Sequence, residues 1–334
     1  MADLKIDQHL IEWKEVAERT WDSLLLGNGF SMNIWERFGY RDLFELAKDP
    51  LVGNPLEPQS TALFDHLGSS NFEDVLRIIY HSRLVDQQLG DPQKLPITAL
   101  YRNTKNALAS AVNYAHIHHE QFDGEPIRKQ LQEFSHIFTT NYDLLPYWSI
   151  MHSDTWRFRD FFWNHGGLFN PADVEAPADR SKIYYMHGAI HLVEKSDGST
   201  MKQTANGLDS LTELFDLDHP ELFPLFISEG SWKEKLSRIK RNNYLRFCFE
   251  RFSSSDGGLV IIGHSLHKDY DQHIIDAIQS SGIERIALGV WPHQAGAAII
   301  ELKSRLTQSL PGTELHFFNS ETHPLGDPSL RVGI

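Results

Sequence analysis

An α/β fold is predicted for this 334-residue chain: a Rossmann-like parallel sheet of about six strands, with a large helical insertion after the first. Three observations carry that reading. Apolar runs at 22–26, 136–139, 182–186 and 258–262 hold little charge, as strands buried on both faces do. Each stops at a short turn bearing glycine or small polar residues. The segments after several of these turns take up helical spacing.

Taken in order, Leu4 to Arg19 reads as a polar helix-like segment, so residues 1–20 form an N-terminal helical segment and 21–334 the main domain. The first strand ends at Gly27-Asn28-Gly29, where two glycines can take positive φ and bring the backbone close to a ligand. Ser31 is placed to cap the following helix, with Ile34, Phe38 and Phe44 inward. Strand, glycine turn and helix N-terminus make a phosphate cradle, since unpaired N–H groups and the helix dipole both favour an anion. A tight turn with no ligand would leave the same Gly-x-Gly-x-Ser trace.

Residues 49–133 show almost no strand character and read as the helical insertion, punctuated by Pro50, Pro55, Pro58, Pro92 and Pro96. Phe72, Val75, Leu76 and Ile79 mark its clearest helix, where Glu73 and Asp74 suit the dipole. His116 and His119 share a helical face, and with His118 they read as surface residues rather than metal ligands. The second strand, His136 to Thr139, runs into Thr140-Asn141-Tyr142-Asp143. Polar residues at the end of a buried strand are where open α/β sheets place ligand contacts, although Asp143 also suits an Asx turn.

A third strand, Lys182 to Met186, ends in His187-Gly188; His191 follows, but the intervening glycine argues against a metal pair. Residues 194–219 read as a mobile loop. Pro224 makes Leu222 to Ile227 an edge strand, and Ser231-x-x-Glu234 is a capping box opening a long helix. The strand Gly258 to Ile262 ends in Gly263-His264-Ser265, and the helix after it carries Asp269, Asp271 and His273 early. A strand at 285–290, a helix to Leu306 and a strand near Leu315 complete the sheet.

Composition, with 41% hydrophobic and 23% charged residues, is that of an ordinary globular protein. A net charge of −14 argues against a broad nucleic-acid surface, and the basic cluster from Lys233 to Arg251 reads as a solvated helix face. The single cysteine, Cys248, excludes an intrachain disulfide and a cysteine-based zinc site. No apolar run approaches bilayer length and no signal core opens the chain, so a cytoplasmic protein is expected.

Gly27-Asn28-Gly29-Phe30-Ser31, Thr140-Asn141-Tyr142-Asp143, His187-Gly188 and Gly263-His264-Ser265 resemble, in order and spacing, the NAD-site motifs of sirtuins. The resemblance spans roughly Trp21 to Phe318 and is closest to sirtuin-like NAD-cleaving proteins of bacterial antiphage defence. It extends to a bacterial family that shares the Ser-Glu-Gly segment at Ser228 to Gly230. It implies that Gly27, Gly29 and Ser31 hold the pyrophosphate of NAD and Gly263 and Ser265 its adenosine side, with Asn28, Phe30, Thr140 and His264 also binding the dinucleotide. Asn141 would face the nicotinamide ribose or its attacking water, Asp143 the carboxamide, and His187 would be the general base on a ribose hydroxyl.

The chain departs from sirtuin deacylases in lacking their four-cysteine zinc module, and Asn28 stands where they carry a small alanine. NAD is therefore expected as substrate, with no metal and no lysine deacylation. An ADP-ribosyl or acyl-group transferase using the same NAD chemistry, or a module that senses NAD or ADP-ribose without cleaving it, are the alternatives. Because uncontrolled NAD cleavage harms its own cell, control through a homo-oligomer or a regulatory partner is expected.

Overall fold

The computed structural model describes residues 6–39, 43–89, 97–153, 155–163, 165–172, 180–205, 211–215, 219, 222–227 and 230–333. The order begins with β1 (Ser23–Leu26) and α1 (Asn28–Ile34), then α2 (Leu43–Lys48). Four helices follow: α3 (Pro58–Leu67), α4 (Phe72–Leu89), α5 (Ile97–Ala115) and α6 (Glu125–Leu131). After β2 (His136–Thr139) come α7 (Leu145–Met151), β3 (Phe158–Arg159), β4 (Ser181–Tyr185), β5 (Gly188–Lys195), β6 (Thr200–Lys202) and β7 (Leu222–Phe226). The last part holds α8 (Trp232–Arg241), α9 (Asn243–Ser253), β8 (Asp256–Ile262), α10 (Lys268–Ser280), β9 (Gly282–Val290), α11 (Gly296–Ser309) and β10 (Glu314–Asn319).

Among the described residues the main sheet has seven strands, one more than expected, in the order β10-β9-β8-β1-β2-β4-β3. All its pairings are parallel. The added strand, β3, is two residues at the edge, too short to leave a hydrophobic period in the sequence. β1 lies at the centre with Leu24, Leu25 and Leu26 fully buried, which is why its run carries no charge. The chain leaves β1 for β2 on one side and returns later to β8 on the other. That reversal is a topological switch point, and it opens a crevice beyond the carboxyl ends of β1 and β8.

Helices α3 to α6 make the insertion between β1 and β2 helical, as the pattern predicts. His116 is not on its surface: α5 ends at Ala115, and the His116 ring is buried against Phe38 and Trp148. Its Nδ1 donates to the Ile117 carbonyl (2.8 Å) and its Nε2 accepts the Leu144 N–H (2.9 Å), so a neutral imidazole bridges two segments.

The N-terminal segment is likewise not a helix where it is described. Ile11 bridges to Phe318, extending the sheet edge, and only Trp13–Glu15 turns as a 3-10 helix. Residues 194–219 are not one mobile loop either. Gly198 turns a hairpin that returns β6 onto β5, and Leu211–Leu214 form a 3-10 turn; 206–210 and 216–218 lie outside the described residues. The polar run marked the turn, not a loop. With β7 at its other edge, as Pro224 predicts, this is a three-stranded antiparallel sheet, β6-β5-β7. Among the described residues no helix is long and apolar enough to cross a membrane.

Candidate active site

The turns after β1, β2, β4 and β8 converge on a cavity of about 280 Å³, at the small end of ligand pockets. Asn28, Thr140, Asn141, Asp143, His187, Gly263, His264 and Ser265 line it, as expected from the sequence. Phe38, Tyr142, Ile227, Lys235 and Asp271 line it too, and no role was read for them from the sequence.

Gly27, Gly29 and Phe30 do not form the expected phosphate cradle. Their N–H groups are already engaged: Gly27 donates to the Ile262 carbonyl (2.9 Å), Gly29 to Gly263 (2.8 Å) and Phe30 to Gly27 (2.9 Å). The turns after β1 and β8 instead cross in direct backbone contact. Gly263 has φ 70°, and a Cβ there would lie 2.0 Å from the Phe30 nitrogen, so only glycine allows the crossing. Asn28 remains exposed on the rim, its side-chain amide donating to the Phe38 carbonyl (3.0 Å).

Ser31 is not a helix cap, since Gly27 is the N-cap of α1. It is fully buried and ties two other site residues together. Its Oγ donates to Asp143 Oδ2 (2.6 Å) and accepts from Asn141 Nδ2 (2.8 Å). The same Asn141 nitrogen donates to the Gly27 carbonyl (3.0 Å). A carbonyl can only accept, so the orientation of the amide is set. Asn141 Oδ1 is then buried with no hydrogen-bond partner among the described residues.

Asp143 makes the Asx turn foreseen for it: its Oδ1 accepts the Leu145 N–H (2.9 Å) at the start of α7, and the residue also lines the cavity. Burial pushes its pKa up to about 6, against the Ser31 and Leu145 hydrogen bonds that favour the charged form. Ser31→Ala is expected to raise this titration further and to lower stability by about 1–3 kcal/mol, because Asn141 and Asp143 lose a buried partner. Carbonyl ¹³C titration of Asp143 and urea unfolding measure the two effects; an unmoved titration would refute the arrangement.

His187 is placed by a sharp reversal from β4 into β5. Gly188 has φ 72°, and a Cβ there would meet the Leu225 carbonyl oxygen at 2.1 Å. The His187 carbonyl accepts the Ile227 N–H (2.7 Å). Its ring Nε2 lies 3.2 Å from His273 Nε2 on α10. Burial, then the nearby Lys235 charge and the His273 and His264 rings, hold the His187 pKa well below the usual histidine value. His191, four residues on, is fully buried and stacked on Tyr147 (4.4 Å), away from any such cluster.

Lys235 corrects the reading of its helix as a solvated face. Its side chain is 12% exposed and its ammonium lies 3.5 Å from Asp271 Oδ1. Burial disfavours the Asp271 charge, yet His264, Lys235 and His273 together hold its carboxyl below the usual range. His264 accepts the Leu266 N–H on Nδ1 (3.1 Å), and burial keeps its pKa low. Among the described residues no group of three or more His, Cys, Asp or Glu side chains could hold a metal ion. The Ser-Glu-Gly segment falls partly outside the described residues, at 228 and 229.

A family model described as Domain of unknown function (DUF4917) matches residues 24–325, a span that includes every residue of this cavity. No curated protein matches the chain.

Proposed function

The chain belongs to that family, and we propose that it is an NAD glycohydrolase, releasing nicotinamide and ADP-ribose. The observation that carries the reading is Asn141, which lines the cavity together with His187 and whose buried Oδ1 has no hydrogen-bond partner among the described residues. An acceptor held without a partner costs stability and suits a site that receives a hydroxyl or water. In the reaction the bond between nicotinamide nitrogen and ribose C1′ breaks, and its electron pair leaves with nicotinamide. Positive charge develops on the ribose, water oxygen bonds to C1′, and one proton must be removed. Asn141 would orient the water or a ribose hydroxyl, and His187, neutral in its buried setting, would take the proton.

Asp143 would accept from the nicotinamide carboxamide. The cavity would receive one end of the dinucleotide, with the remainder crossing the rim at Asn28 and Ser265. A module that only binds NAD would need no proton acceptor at the ribose. The resemblance to antiphage NAD-cleaving proteins makes defence the setting, with oligomerisation or a partner restraining the activity. Incubating purified protein with NAD and resolving the products by chromatography tests the reading: nicotinamide and ADP-ribose are expected, and intact NAD with every assembly state of the protein would overturn it.

A further inference from the structure

The turn that the sequence offers for a pyrophosphate is occupied within the fold. The Gly27 and Gly29 N–H groups donate to Ile262 and Gly263, and the Ser31 hydroxyl is buried between Asn141 and Asp143. A dinucleotide nevertheless brings two negative charges to the site, and burying an anion without a cation or donors is costly. Among the described residues that line the cavity, Lys235 is the one cationic side chain, since burial favours the neutral forms of His187 and His264. Its place is fixed early in α8, where the Ser231–Glu234 capping box sets the first turn and Lys235 follows directly.

We propose that Lys235 is the pyrophosphate-binding residue of this site, its ammonium donating to a phosphate oxygen of the dinucleotide in place of the closed glycine turn. The inference rests on reading the cavity as an NAD site. Lys235 is not locked in a structural ion pair. Its ammonium lies 3.5 Å from Asp271 Oδ1, at the outer limit of a hydrogen bond, and both side chains are 12% exposed. Lys202, by contrast, closes on the fully buried Asp160 at 2.6 Å. An ammonium carries three protons, so a phosphate can take one without displacing Asp271. Asp271 is itself tethered at the start of α10, its Oδ2 accepting the His267 N–H (3.3 Å), and so steadies the lysine from the side. The Lys235 charge is also felt by the His187, His264 and His273 rings, so one dinucleotide can meet both the ammonium and the reacting end of the cavity.

Calorimetric titration with ADP-ribose tests this without turnover. Lys235→Met, similar in length and uncharged, is expected to weaken ADP-ribose binding about 10–100-fold, the range for losing a charged hydrogen bond. Nicotinamide riboside shares the reacting end and has no phosphate, so its binding should be no weaker than in wild type. Because Lys235→Met leaves the Asp271 carboxylate without its cation, the double variant Lys235→Met/Asp271→Asn removes both charges. If Lys235 only balances Asp271, the double variant regains wild-type affinity; if Lys235 holds phosphate, the loss persists. Unchanged ADP-ribose affinity in folded Lys235→Met, recovery in the double variant, or equal weakening of nicotinamide riboside would each overturn the proposal. So would a wild-type protein that does not bind ADP-ribose. Wild-type protein that binds ADP-ribose through Lys235 but leaves NAD intact would instead overturn the glycohydrolase reading alone.

Discussion

His187→Ala is expected to lower NAD turnover by about 10²–10⁴-fold, the range for losing a positioned proton acceptor, and Asn141→Ala by about 10²-fold, the cost of misplacing the water or hydroxyl it orients. Asn141 is 3% exposed and His187 3% exposed, so neither change is silent for the fold. Asn141→Ala strips a partner from Ser31 Oγ and from the Gly27 carbonyl and should cost about 1–3 kcal/mol of stability. Activity must therefore be compared at a temperature where circular dichroism shows each variant folded. Steady-state assays then separate the two residues from mere supports: Ser31→Ala should retain more turnover, because Ser31 does not line the cavity. Wild-type turnover in either folded alanine variant would remove that residue from the chemistry.

Acidification from pH 7 to pH 5 is expected to destabilise the protein by several kcal/mol. Three buried histidines carry the argument. Burial lowers the pKa of His116 and of His273 to about 4 and that of His323 to about 3. His116 and His323 also accept backbone N–H groups, from Leu144 and Leu325, which a protonated ring could not do. The unfolded chain takes up these protons near pH 6.5, so stability present above that value is lost as pH falls towards the folded pKa values. At pH 5 each of the three contributes a loss of about 2 kcal/mol, about 6 kcal/mol together, against a usual total of 5–15 kcal/mol.

Asp143 works the other way. Its folded pKa is raised, so its penalty eases as pH drops below about 6 and returns about 1 kcal/mol. Urea unfolding at pH 7, 6 and 5 measures the balance. His323→Phe should flatten the slope by about one proton, and a midpoint that does not move between pH 7 and 5 would contradict the buried neutral rings.

The sequence by itself determined the parallel α/β architecture and which strand-end turns meet at the cavity. Doubly buried strands must be short apolar runs, and their ends must change to glycine or small polar residues where the chain turns. Those rules act along the chain, so β1, β2, β4 and β8 and the turns after them were legible, as were the helical insertion and the Ser231–Glu234 capping box. The tertiary structure decided what each turn residue does. Gly27, Gly29 and Gly263 carry the same spacing as a phosphate cradle, but β1 and β8 are neighbours, and at that distance their turns cross and bond to each other. Ser31 has a capping position by local count, yet α1 packs its hydroxyl against residues 110 and 112 positions away. Lys235, Asp271 and His273 lie on helices whose local pattern also fits a solvated face, and only the docking of α8 and α10 over the strand ends turns them towards His187. Periodicity reports which side of a helix is apolar; which polar residues meet is set by contacts between segments far apart in sequence.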